Sequence, residues 1–168
     1  VEDLEEVISL YYTTELKVFI DFNSVCTSAI NHSDLSSYVN QINELATKFT
    51  VLGIFLSYGS DCISDYASNH GYLRIVDFGS NAIATSQSVP ATIDGVYASN
   101  LTSTPAFSGF GSLKYLNVTS GTVDFNALSL PSSLTYLSVY NRNSSQQIDP
   151  TTLLSGLTQL SFLSLSSS

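Results

Sequence analysis

Leu113-Lys-Tyr-Leu116-Asn-Val118 is followed by Leu134-Thr-Tyr-Leu137-Ser-Val139 and then by Leu160-Ser-Phe-Leu163-Ser-Leu165. The three stretches share one pattern: apolar, two variable, apolar, one variable, apolar. Towards the N-terminus it returns as Ile93-Asp-Gly-Val96-Tyr-Ala98, Leu73-Arg-Ile-Val76-Asp-Phe78 and Val51-Leu-Gly-Ile54-Phe-Leu56. Lys17-Val-Phe-Ile20-Asp-Phe22 fits at all but its first position. Successive starts lie 34, 22, 20, 20, 21 and 26 residues apart, a spacing that suits one strand and one return segment per unit.

In a strand, alternate side chains face opposite sides. Positions four and six of each copy then point into the coil: Ile20/Phe22, Ile54/Leu56, Val76/Phe78, Val96/Ala98, Leu116/Val118, Leu137/Val139 and Leu163/Leu165. All are apolar. One unit cannot bury such a pair alone, whereas stacked neighbours bury a continuous ladder. A β-sandwich also shows short strands at regular spacing, but it favours two-residue turns such as Asn-Gly, and no Asn-Gly occurs here. The expectation is a mainly β repeat solenoid with a parallel sheet of about seven short strands.

The chain resembles the leucine-rich-repeat family, whose L-x-x-L-x-L half-motif it keeps from Lys17 to Ser168. The second half of that motif is poorly kept. The family's ninth-position Asn is in register once, at Asn81, while Asn100 comes one place early and Gly59, Gly121 or Arg142 stand elsewhere. The irregular repeats of BspA-like surface proteins and of receptor L domains fit as well as a regular horseshoe. In this family the exposed sheet is commonly the ligand face, so the resemblance implies a binding surface.

The return segments differ from one another. Ser33 to Phe49 carries Leu35, Tyr38, Val39, Ile42, Leu45, Ala46 and Phe49 at helical spacing, with Ser33 as N-cap. Residues 82–92 and 101–112 are rich in Ser, Pro and Gly and are expected to be extended or to hold short 3₁₀ turns. Asp149-Pro150 followed by residues 151–157 predicts a further helical turn. Residues 1–15 read as an acidic N-terminal capping or interaction helix, and 16–168 as the solenoid, one domain overall.

The composition narrows the function. The 168 residues carry 14 acidic and 5 basic side chains, a net charge of -9. A chain so acidic lacks the basic stripe that nucleic acid or an anionic membrane requires. At 43% hydrophobic residues it is too apolar for disorder, and no apolar run is long enough to span a bilayer. Four Asn-x-Ser/Thr sequons, at Asn31, Asn100, Asn117 and Asn143, point to a secretory route and N-linked glycans. A chain rich in Asn, Ser and Thr also forms such triplets by chance. Val1 opens the chain and no Met occurs in it, as expected once a start residue and leader are removed. An extracellular or cell-surface location follows as an expectation. Cys26 and Cys62 lie just beyond the first two strands, at equivalent points of adjacent coils, where a disulfide would be within reach.

No nucleophile elbow, His-Glu-x-x-His pair, phosphate loop or dinucleotide fingerprint occurs, so neither catalysis nor a cofactor is expected. His32 and His70 have no metal-ligand spacing to the cysteines, and no metal site is expected. The variable strand positions are more informative. Positions three and five are expected on an exposed sheet face, bringing together Phe19, Asp21, Phe55, Asp77, Tyr97, Tyr115, Tyr136 and Phe162, with Tyr140 beyond. Tyrosines and carboxylates on a solvent face suit a protein or glycan ligand. The same pairs could instead serve only to hold the sheet together. The leading expectation is a non-catalytic extracellular binding or adhesion module. The alternative is a structural subunit of a glycosylated fibre, with other copies of the chain as partners. There a strand at Leu160 to Ser168 would be covered head to tail by another copy.

Overall fold

The computed structural model describes residues 17–23, 50–58, 72–80, 93–105, 107, 110 and 112–168, together with Ser37, Asn40, Gln41, Asn43 and Glu44. The expected N-terminal helix, Cys26, Cys62, Asn31 and both histidines lie outside the described residues.

Among the described residues, seven strands form one sheet: β1 (Lys17–Asp21), β2 (Thr50–Ser57), β3 (Leu73–Asp77), β4 (Gly95–Ala98), β5 (Tyr115–Ser120), β6 (Tyr136–Asn141) and β7 (Phe162–Ser167). Their order is sequential and every pair is parallel. Parallel neighbours require a crossover between strands, which the return segments supply. A mainly β chain with a curled, all-parallel sheet is the architecture, compatible with a solenoid.

The inward pairs form the core. Ile54, Leu56, Val76, Phe78, Val96, Ala98, Leu116, Val118, Leu137 and Val139 are all buried. From Val76 to Val139 they form one cluster with Leu101, Phe107, Val123, Phe125, Leu128 and Leu153 from the return segments, the full burial of each large side chain contributing about 1.5–3 kcal/mol. The ladder is less complete at its ends: Ile20 is half-buried and Leu163 is 44% exposed, as β1 and β7 are the outermost strands among the described residues.

Two described return segments are capped by side chains. A 3₁₀ turn at Phe125–Ala127 begins where the Asp124 carboxylate accepts from the Asn126 N–H. Helix α1 (Pro150–Leu153) begins where the Asp149 carboxylate accepts from the Thr151 N–H, with Pro150 at a position that needs no donor. The helix stops earlier than the expected 157, and Gly156 takes a positive φ of 81°. Phe107 lies in a 3₁₀ turn, as expected for 101–112, and all five described residues between 37 and 44 are helical.

One pairing departs from the sequence alignment. From β3 onward, like positions pair with like: Val76 with Val96, Val96 with Leu116, Leu116 with Leu137, Leu137 with Leu163. Between β2 and β3, however, Phe55 faces Ile75 and Ser57 faces Asp77, two residues away from the aligned register. A slip of two keeps each side chain on its own face, so the hydrophobic pattern does not oppose it.

Candidate binding face

The face opposite the core is concave and splits into two rows. The lower row runs Asp21, Phe55, Ile75, Gly95, Tyr115, Tyr136 and Phe162, as the strand registers align them. The upper row runs Asp77, Tyr97, Asn117, Ser138 and Ser164, with Ser57 opposite Asp77 on β2. Phe19 stands one step below Asp21, over Gly53. Tyr140 stands one step above Ser138, opposite Thr119 and Ser166.

The lower row is not the open column expected from the pattern. Tyr115 is only 3% exposed and Ile75 is fully buried. The reason is the curl of the sheet. Phe19 on β1 reaches Tyr115 on β5 with ring centroids 5.6 Å apart, and Tyr136 on β6 at 6.5 Å. Phe55 closes the same cluster, 5.8 Å from Tyr97 and 6.1 Å from Tyr115, both edge-on. The missing side chains at Gly53 and Gly95 make room: a Cβ at Gly95 would lie 2.8 Å from Tyr115 Cβ and from Ile75 Cγ1. Part of the aromatic face is therefore a second, smaller core.

Beyond that cluster the rings form a ladder. Tyr115 stacks on Tyr136 at 4.4 Å and 16°, and Tyr136 on Phe162 at 4.2 Å and 4°. The spacing is close to the separation of adjacent strands. Rings stacked in this way cover one another's faces, and such pairs add about 0.5–1.5 kcal/mol beyond their burial. Phe19 (38%), Tyr140 (39%) and Phe162 (45%) remain substantially exposed.

The polar row is organised from within. Asn23 Nδ2 donates to Asp77 Oδ2, Ser57 Oγ donates to Asn23 Oδ1 at 2.9 Å, and the Gly79 N–H donates to Asp77 Oδ1 at 2.7 Å. Asp21 accepts from the Asn23 N–H at 2.8 Å and is exposed. Asn23 and Ser57 are not in the expected set: both lie at the seventh position of their copies, where only the aromatic Tyr140 stood out in the sequence. The Tyr115 hydroxyl lies 3.4 Å from Asn117 Nδ2. Burial pushes its pKa up to about 12, with the Asn117 hydrogen bond opposing and Tyr136 and Tyr97 adding to the rise.

Among the described residues no three His, Cys, Asp or Glu side chains gather at one point, and no helix is long and apolar enough to cross a membrane. Of the sequons, Asn100 is exposed in the bend after β4, Asn117 lies on the concave face in β5, and Asn143 lies in the turn after β6. Comparison of the chain with protein-family models, with curated proteins and with solved structures finds no match.

Proposed function

We propose that the chain is a non-catalytic extracellular binding or adhesion module of leucine-rich-repeat-like build, and that it takes a protein or glycan ligand on the concave face. One observation carries the reading. Among the described residues the exposed large hydrophobics are Phe19, Tyr140, Phe162 and Leu163, and the first three stand on that face beside a row of carboxylate, amide and hydroxyl groups. Half-exposed aromatic rings next to hydrogen-bonding groups are the composition of a recognition surface. The acidic pair Asp21 and Asp77 favours a neutral or cationic ligand over an anionic one.

The test is a panel of immobilised extracellular-matrix proteins and neutral oligosaccharides. The wild-type chain is expected to bind at least one member. Tyr140→Ala is expected to weaken that binding roughly tenfold or more, the loss typical of an aromatic anchor, and Thr152→Ala on the opposite side to leave it unchanged. Binding unaffected by Tyr140→Ala, or no binding anywhere on the panel, sinks the reading.

A second reading, assembly of copies end to end, draws on β7. That strand, Phe-Leu-Ser-Leu-Ser-Ser, holds no charge and no Pro, the devices that usually protect an edge, and Leu163 is exposed. Light scattering separates the two readings: a particle larger than one chain that Leu163→Lys reduces to single chains favours assembly.

A further inference from the structure

We propose that the fold admits an N-linked glycan at Asn143 and excludes one at Asn117, which keeps the concave face bare for its ligand. The inference rests on the extracellular reading above.

The two sequons differ in what surrounds the amide nitrogen that must bond to the sugar. Asn117 sits in β5, which is paired on both sides, opposite Tyr97 in β4 and Ser138 in β6. Its side chain is half-buried on the concave face, and Nδ2 points to the hydroxyl of the buried Tyr115. A sugar on this nitrogen would rise inside the curl, where the Phe55 and Tyr97 rings already close to 5.8 Å. A chain glycosylated there cannot bring its aromatic cluster together.

Asn143 is arranged in the opposite way. Its Oδ1 accepts from the Ser145 N–H at 3.1 Å and from the Ser145 hydroxyl at 2.6 Å, and its own N–H donates to Asn141 Oδ1 at 2.9 Å. The third residue of the sequon thus holds the oxygen of the first. Among the described residues Nδ2 donates to none, and Ser144 and Ser145 are exposed. Two donors on the carbonyl oxygen draw electron density from the amide and make its N–H more acidic. In the transfer, the Nδ2–C1 bond forms and the bond from C1 to the diphosphate of an activated sugar donor breaks. One amide proton goes to a base of the transferring enzyme, and the diphosphate departs with the bonding pair.

The chain's five basic residues make the test direct. Cleavage after Lys48, Arg74, Lys114 and Arg142 places each sequon in its own peptide, with Asn117 in 115–142 and Asn143 in 143–168. The full chain is secreted from a eukaryotic host behind a supplied leader. The folded monomer is isolated and treated with an amidase that converts glycosylated Asn to Asp in heavy-oxygen water. The label is expected in 143–168 and absent from 115–142. Asn143→Gln should remove one glycan from the secreted chain, and Asn117→Gln none. Label in 115–142, or none in 143–168, overturns the proposal. Because the leader is supplied, finding the native chain without sugar would count against the extracellular reading and leave this site preference standing.

Discussion

Phe19, in the first strand, packs its ring 5.6 Å from that of Tyr115 in the fifth. Five parallel strands laid flat, four spacings of about 4.8 Å, would keep these residues nearly 20 Å apart. The contact therefore measures the curl of the sheet, and it explains why residues on the solvent side of a simple alternating pattern are partly buried.

The curl depends on Gly95. Replacing Gly by Ala inside a strand ordinarily stabilises it by about 0.5–1 kcal/mol. Here the new methyl would lie 2.8 Å from both Tyr115 Cβ and Ile75 Cγ1, so overpacking should reverse the sign. Gly95→Ala is expected to destabilise the chain by about 1–3 kcal/mol in urea unfolding. Gly121→Ala, whose methyl would meet only Arg142 Cβ at 3.5 Å, should be close to neutral. Equal stability of the two variants would mean that the sheet does not need the gap.

Arg74 and Asp94 link β3 to the segment entering β4. Asp94 Oδ2 accepts from Arg74 Nε at 3.2 Å and from the Arg74 N–H at 3.0 Å, while the Asp94 N–H donates to the Arg74 carbonyl at 2.9 Å. Arg74 is buried, so removing the carboxylate takes a charged partner away from a desolvated guanidinium. Asp94→Ala should cost about 1.5–3 kcal/mol, and an Arg74→Leu/Asp94→Leu double variant should recover much of that loss. A double variant no better than Asp94→Ala would assign the cost to the backbone contact instead of the charge.

Asp149 offers a smaller effect with a defined pH dependence. Hydrogen bonds from the Thr152 hydroxyl and the Thr151 N–H hold its pKa below the ordinary 3.8. The folded state thus prefers the ionised cap. Its contribution is present above pH 3.8 and is lost as the pH falls through the lowered value. The stability gap between wild type and Asp149→Ala should accordingly narrow in strong acid. A gap that stays constant down to the acid limit would show that the charge plays no part.

The face assignment was legible because inward positions cannot tolerate polar groups. Leu116, Val118, Leu137 and Val139 occupy the core as the pattern requires. The β2–β3 register was not legible, since a slip of two residues leaves every face unchanged. Nor was the curl. It follows from side-chain volumes compared across strands, with Gly53 and Gly95 set among Phe19, Phe55 and Tyr115, and a pattern read along one strand does not contain that comparison. For the candidate site, the aromatic and acidic residues came from the sequence, while Asn23 and Ser57 did not, and which rings are covered and which are open depends on the curl.

Tyr115 gives the curl a spectroscopic signature. With its hydroxyl buried among Tyr136, Tyr97 and Asn117, its pKa lies near 12, against an ordinary 10.0. The folded state holds this proton more tightly than the unfolded chain does. The stabilisation linked to it is complete below pH 10 and is lost as the pH rises towards 12. An ultraviolet titration of tyrosinate should show a late step near pH 12, and Tyr115→Phe should remove that final step. The same variant should also flatten the loss of stability between pH 10 and 12, because Phe has no proton to release. If the final step survives in Tyr115→Phe, the phenol is not shielded as the contact with Phe19 and Phe55 requires, and the concave face is more open than the ring distances imply.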